Sequence, residues 1–70
     1  MTAPAPTRIL SPRQREVLAL VARGYTNPQI ADQLQVGIGT VKTHLELVRG
    51  KLGAENRGHA VVLAMQAGEL

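Results

Sequence analysis

The sequence contains no cysteine, tryptophan or phenylalanine, and Tyr25 is its only aromatic residue. Without cysteine, neither disulfide bonds nor thiolate metal sites can form. A single ring does not provide the stacking platform on which proteins bind single-stranded nucleic acid. His44 and His59 are the only imidazoles, and no carboxylate cluster accompanies them. A zinc site is therefore not expected.

Long apolar runs are also missing. No stretch approaches the roughly 20 residues that a helix needs to cross a bilayer, and the first six residues lack the basic start and apolar core of a signal peptide. A cytoplasmic protein without membrane contact is expected. The chain shows no nucleophile with a nearby base, no metal-ligand set and no phosphate-cradling loop. It therefore predicts neither an enzyme nor a cofactor.

The chain has 70 residues, enough for one domain. A domain this small buries only about 60% of its unfolded surface and is marginally stable. Small domains commonly gain stability from disulfides, bound metals or oligomerisation, and the composition leaves only oligomerisation open. Lysine and arginine exceed the acidic residues to give a net charge of +3. Because this charge is spread along the chain, it fits a polyanionic partner and an ordinary solvated surface equally well.

Two capping boxes predict the starts of the first two helices. Ser11 is followed by Pro12, which suits the first helical position, and by Gln14 three residues after the cap. Thr26 and Gln29 repeat this arrangement at the start of a shorter helix. Apolar residues at helical spacing follow both caps, namely Val17, Leu18, Leu20 and Val21, then Ile30, Ala31 and Leu34.

A third, longer helix is predicted after a connection of about three residues, which completes the helix-turn-helix order. It is expected to run from Ile38 or Gly39 to Leu52. Its apolar residues share one narrow face, namely Ile38, Val41, Leu45, Val48 and Leu52. The opposite face is polar or small and carries Gly39, Lys42, Thr43, Glu46 and Gly50, flanked by Leu47 and Arg49.

Two glycines inside a helix are costly, at about 1 kcal/mol each relative to alanine. Because Gly39 and Gly50 lie on the polar outer face, they indicate that something approaches this helix closely. The alternative is that Gly50 marks only a weak point or a bend.

A fourth helix is predicted from about Arg57 to Ala67, with Asn56 as its cap. It is apolar on nearly every side. One stripe is expected to cover the core, namely Val61, Ala64 and Met65, which leaves Val62 and Leu63 on the other side. A helix of this kind requires burial on two faces, and a second copy of the chain is the simplest cover for the outer one.

The ordered set of these motifs resembles the LuxR/GerE-type helix-turn-helix family. The matching segments are LSPRQREVL at 10–18, GYTN at 24–27, IA at 30–31, TVKTH at 40–44, KLG at 51–53 and NR at 56–57. The resemblance covers residues 10–70, which are expected to form the domain, and residues 1–9 before it are expected to be a flexible tail because their start is rich in proline and alanine and has no periodicity. It implies an all-α fold of four helices, in which the third reads the DNA major groove and the fourth dimerises. With no sensor or receiver domain, the chain is expected to be a stand-alone member unless it is an excised fragment.

The implied function is a sequence-specific transcription regulator that binds double-stranded DNA as a homodimer, with RNA polymerase as a further candidate partner. The positions that face base edges in the family are Lys42, Thr43 and Glu46, and Gly39 is another that often contacts DNA. Positions near the phosphate backbone are Thr26, Asn27, Thr40 and His44, to which Arg49, Lys51 and Arg57 could add charge. The dimer interface is expected at His59, Val62, Leu63 and Gln66.

Several of these residues have an alternative interpretation. Lys51 could be an ordinary solvated lysine, and Arg57 or His44 could serve the structure alone. Glu46 is an acid on a face expected to meet phosphate. It could accept a bond from cytosine N4, pair with Lys42 or Arg49 on the helix surface, or weaken DNA binding.

Two alternatives to this function are open, one within the same class of DNA-binding protein and one from a different class. The promoter-binding helix-turn-helix of sigma factors is similar at residues 15–18, 30–31 and 40–42. Residues 51–53, 56–57 and the apolar fourth helix favour the LuxR/GerE type instead. A protein-interaction module that kept the scaffold but has weak or lost DNA binding is the second alternative, because of Glu46, Gly39 and the small net charge.

Overall fold

The computed structural model describes residues 8–70, which form four α-helices and no β-strand. In chain order they are α1 (Pro12–Ala22), α2 (Asn27–Leu34), α3 (Ile38–Leu52) and α4 (Arg57–Gln66). The predicted all-α fold is confirmed. Most of the expected tail, residues 1–7, lies outside the described residues. No helix within residues 8–70 is long and apolar enough to span a membrane.

The predicted caps are present at the starts of three helices. The Ser11 hydroxyl accepts the Gln14 N–H at 3.1 Å, and the Gln14 side-chain oxygen accepts the Ser11 N–H at 3.0 Å. Thr26 and Gln29 exchange the same two bonds, at 3.3 and 2.9 Å. The Asn56 side chain caps α4. Local hydrogen bonding therefore fixes where these helices begin.

The turn between α2 and α3 is tight and uses an unusual residue. Gln35 adopts a left-handed backbone conformation with a φ of 56°, which residues other than glycine rarely adopt. The next residue, Val36, donates its N–H to the Ala31 carbonyl at 2.9 Å. Gly37 then precedes α3 and provides no side-chain cap. This turn sets the angle at which α3 leaves α2.

The core consists of two clusters that α1 and α3 both line. One holds Leu10, Leu18, Val48, Ala54, Ala60 and Ala64. The other holds Val17, Ile30, Ala31 and Val41. Val21 and Leu45 pack against both clusters. Val41 and Val48 of the expected apolar stripe of α3 are therefore fully buried, but Ile38, the first residue of the helix, is 43% exposed and lies outside the core.

The expected orientation of α4 was partly wrong. Met65, predicted to face the core, is 62% exposed, whereas Leu63, predicted to face outward, is half-buried and packs against the first cluster. Ala60 and Ala64 are the fully buried residues of this helix. Small side chains at these two positions let α4 approach α1 and α3 closely, and this contact sets its rotation.

The two ends of the described chain are joined by a buried carboxylate. Glu69 is only 6% exposed, and its oxygens accept the N–H groups of Leu10 at 3.0 Å and Ile9 at 3.3 Å. Arg8 donates to the Gly68 carbonyl at 3.0 Å. Residues 8 and 9, assigned to the tail by sequence, are thus hydrogen-bonded to the residues that follow α4.

Lys51 strengthens the same region. Its ammonium donates to the Gln14 side-chain oxygen at 2.8 Å and to the Ile9 carbonyl at 3.3 Å. Arg15 donates to the Leu10 carbonyl at 2.6 Å. Lys51 is exposed, and its hydrogen bonds also tie the end of α3 to the start of α1.

The Glu69 carboxyl has a lowered pKa. Its hydrogen bond from the Leu10 N–H is the largest cause, and burial acts in the opposite direction. Smaller lowering contributions come from Ile9, Arg8 and Arg15. The pKa of Glu69 is lower in the folded state than in the unfolded state. Its ionised carboxylate therefore stabilises the fold at pH values above the unfolded-state pKa. This contribution is lost as the pH falls through the lowered value.

We expect Glu69→Gln to lower the free energy of unfolding at neutral pH. An amide has no negative charge and only one accepting oxygen, so it cannot replace both bonds that the carboxylate accepts. The variant's unfolding free energy should also fall less than that of the wild type on acidification. Urea unfolding followed by circular dichroism, from neutral pH down through the pKa of Glu69, measures both effects. Glu55→Gln, which makes the same charge change at an exposed site, is the control. Equal pH dependence in the wild type and Glu69→Gln would contradict the assignment.

Candidate nucleic-acid interface

One side of α3 is left uncovered by the rest of the domain. Burial of Val41 and Val48 in the core turns the opposite side outward. The residues exposed there are Gly39, Lys42, Thr43, Glu46, Leu47 and Gly50. The structure thus brings together Lys42, Thr43 and Glu46, the three residues predicted to face base edges.

A groove of about 490 Å³ runs beside this exposed side. It joins α3 to the starts of α2 and α4, and its lining is Asn27, Lys42, Leu45, Glu46, Arg49, Glu55, Asn56 and Arg57. The lining contains three basic side chains and two acidic ones, namely Lys42, Arg49 and Arg57, and Glu46 and Glu55. Asn27 and Arg49, predicted near DNA from separate segments, therefore share one surface with the residues of α3.

Glu46 is paired within its own helix. Its carboxylate accepts from the Arg49 guanidinium at 2.8 Å. This hydrogen bond, followed by the charge of Arg49, lowers the pKa of Glu46 and raises that of Arg49. Of the three interpretations of Glu46, the structure favours the surface ion pair, with Arg49 rather than Lys42 as partner. The Glu46 side chain is 69% exposed, so the pair contributes little to stability and opens readily.

Arg57 joins the start of α4 to the start of α2. Its guanidinium donates to the Asn27 side-chain oxygen at 2.7 Å and to the Tyr25 carbonyl at 3.4 Å. Arg57 is exposed rather than packed in the core. The bond uses the oxygen of the Asn27 amide, so the NH₂ group of that side chain stays available as a donor.

The start of α2 has few backbone donors left for a phosphate. The N–H groups of Thr26 and Gln29 are used in the capping box, and Pro28 has none. The Asn27 N–H is the remaining donor of this first turn. A phosphate at this end of α2 would therefore depend on Asn27 and on the Thr26 hydroxyl.

Thr40 and His44 differ in their access to solvent. Thr40 is exposed, whereas His44 is half-buried. The His44 Nδ1 atom is buried and has no hydrogen-bond partner among residues 8–70. This side of the ring faces the domain, so a contact from His44 to DNA would have to use its other edge.

The outer face of α4 carries exposed apolar side chains. Val62 is 50% and Met65 62% exposed, and Gln66 lies beside them. His59 is half-buried at the edge, where its Nδ1 accepts the Glu55 N–H at 3.0 Å. Met65, which was not among the expected interface residues, thus extends this face.

These features define a helix-turn-helix domain: α2, a tight turn, and a longer helix whose outer side is open. The family model for bacterial regulatory proteins of the luxR family matches residues 8–64. The chain belongs to this family, whose domains bind DNA and regulate transcription. Among residues 8–70, no group of three or more histidine or acidic side chains is placed to hold a metal.

Similar proteins and structures agree with this assignment. The response regulator VraR of Staphylococcus aureus (strain NCTC 8325 / PS 47) is 41% identical over 58 residues, which are 83% of this chain and 28% of that protein. The structure of the transcription factor GerE superposes with a TM-score of 0.87 at 33% identity, covering 91% of this chain and 96% of that one. The response regulator ChrA of a heme-sensing two-component system gives a TM-score of 0.85 at 38% identity, covering 94% of this chain and 33% of that one.

The two glycines on the outer side of α3 have no structural requirement within the domain. A Cβ atom added at Gly39 or Gly50 meets nothing within 4 Å, and neither has a positive φ. Glycine is therefore not needed for the fold at either position, which fits an approaching partner better than a packing constraint.

We expect Gly50→Ala to stabilise the domain by about 1 kcal/mol, because alanine is the better helix former. If DNA approaches this site closely, the same variant binds DNA more weakly than the wild type. Urea unfolding and DNA titration of one preparation measure both effects. Gly53→Ala is the opposite control, since Gly53 has a φ of 67° and its substitution should destabilise. Unchanged DNA affinity in the stabilised Gly50→Ala variant would exclude close approach.

Proposed function

We propose that this domain binds double-stranded DNA sequence-specifically by placing the exposed side of α3 in the major groove. The observation that carries the proposal is the uncovered side of α3 with Lys42, Thr43 and Glu46 together on it. Side chains of this kind can donate to and accept from base edges. The core holds α3 by its opposite side, so nothing in residues 8–70 has to move for the helix to enter a groove.

Phosphate contacts are proposed along the groove beside α3. Asn27, Arg49 and Arg57 line it from three different helices, and Thr26 lies at the adjoining end of α2. Such contacts fix the position of the protein on DNA and provide most of the affinity. Because the net charge is only +3 and Glu46 offsets one cation, the affinity should fall less steeply with salt than it does for strongly basic proteins.

The proposal is tested by selecting bound sequences from a pool of random duplexes at two salt concentrations. We expect a defined motif, and we expect Lys42→Ala to lose selectivity at particular base positions. Arg13→Ala removes one exposed positive charge from α1 and is the matched control, which should keep the motif. Folded protein that enriches no motif would contradict sequence-specific binding and would favour the protein-interaction module.

Dimerisation is proposed through the outer face of α4. Val62, Met65 and Gln66 form its centre, with His59 and Leu63 at its edges. Two protomers joined in this way would read two half-sites about one helical turn apart, so the selected motif should have two-fold symmetry.

RNA polymerase stays a predicted further partner. The matched regulator VraR is much longer than this chain, which spans 28% of it.

We expect Val62→Glu to give a folded monomer, because a carboxylate at the centre of the face cannot be buried against its own copy. Leu63 is less suitable, since it packs partly against the core and its substitution would also destabilise the fold. Sedimentation equilibrium measures the mass, and circular dichroism checks the fold. Leu47→Glu, at 49% exposure on α3, is the matched control and should keep the mass of the wild type. A Val62→Glu mass equal to that of a wild-type dimer would rule out this face.

A further inference from the structure

Thr43 is exposed on α3 and uses its hydroxyl hydrogen within the helix, which leaves its methyl group available for apolar contact. The hydroxyl donates to the Gly39 carbonyl one turn earlier, at 3.0 Å. Two threonine rotamers allow such a bond in a helix, and in either one the hydroxyl hydrogen is used within α3. Because its hydroxyl hydrogen is already bonded, Thr43 cannot donate to an approaching molecule without breaking this bond, whereas its methyl group needs no partner.

Leu47 lies one turn further along α3 and extends this apolar surface. Residues four apart on a helix are neighbours, so Leu47 adjoins Thr43. Its side chain is 49% exposed and belongs to neither core cluster. Nothing in the fold therefore requires leucine at this position, although it stands on a side of the helix whose other members are polar or small.

The polar residues around this pair determine which ligand it can meet. Lys42 and Arg49 bring positive charge to the same helix, while the Glu46 carboxylate is held by Arg49 at 2.8 Å. Two apolar groups are far too small an area for a protein interface, which buries about 800 Å² per partner. A polyanion with small apolar groups on its surface fits both features. In the DNA major groove, the only apolar group on a base edge is the C5-methyl of thymine.

We propose that Thr43 and Leu47 together recognise thymine methyl groups in the major groove. This inference rests on the proposed function and names the chemistry of its specificity. Each half-site should then contain at least one thymine whose methyl group is required. A neighbouring contact from Lys42 to base acceptors would set the register in which that methyl meets α3.

The test replaces each thymine of the selected duplex in turn by deoxyuridine, which lacks the methyl group but keeps the pairing and the O4 acceptor. We expect about a fourfold loss of affinity at the contacted thymine, the factor for burying one methyl-sized group. Replacements at the other thymines of the same duplex are internal controls and should leave the affinity unchanged.

Two matched protein variants assign the contact to its side chains. Thr43→Ser keeps the hydroxyl and removes the methyl group, whereas Thr43→Val keeps methyl groups and removes the hydroxyl. Thr43→Ser and Leu47→Ala should bind thymine and deoxyuridine duplexes with more nearly equal affinity. Thr43→Val should still discriminate between them. Circular dichroism confirms that each variant is folded.

The outcomes separate this inference from the proposed function. A specific motif whose affinity is unchanged by every deoxyuridine replacement would overturn methyl recognition and leave sequence-specific binding intact. Discrimination that persists in full in both Thr43→Ser and Leu47→Ala would overturn the assignment to these residues. Failure to obtain any specific duplex from folded protein would overturn both proposals.

Discussion

Burial of the α3 stripe in two separate clusters is the constraint on which the rest of this structure depends. Val41 is held in one cluster and Val48 in the other, two turns further along the helix. Two anchors on one side of a helix fix its rotation about its own axis. The opposite side of α3 is therefore exposed whatever residues it carries. Because the fold does not depend on those residues, they can be suited to a ligand.

Local signals explain why the helices themselves could be predicted. A capping box depends on residues three apart, so Ser11 with Gln14 can be recognised from sequence alone, and the structure contains both of its hydrogen bonds. The rotation of α4 could not be predicted in the same way. A helix that is apolar nearly all round has no single preferred side, and only the close fit of Ala60 and Ala64 against neighbouring helices left Met65 in solvent.

Contacts between distant segments explain most of what sequence reasoning missed. Glu69 meets Leu10 across 59 positions, and Lys51 meets Gln14 across 37. No periodicity links such residues, because their proximity exists only once the helices have packed. The candidate interface falls between these cases. Its residues on α3 follow from helical geometry, whereas the contribution of Arg57 through Asn27 depends on the packed fold.

For the proposed function, the Glu46–Arg49 pair limits how the exposed side of α3 could distinguish one DNA sequence from another. To accept a bond from cytosine, Glu46 must give up its bond to Arg49, so the new contact replaces an existing one and gains less. Breaking the pair to release Arg49 entirely toward a phosphate also has a cost, because it leaves an unpaired carboxylate near the DNA. Keeping the pair closed avoids both costs. It removes Glu46 from base reading, while the N–H groups of Arg49 that do not bond Glu46 can still meet a phosphate. Under the proposed function, selectivity would then depend more strongly on Lys42 and on the apolar groups of Thr43 and Leu47, because these groups exchange no existing partner when DNA displaces water from them.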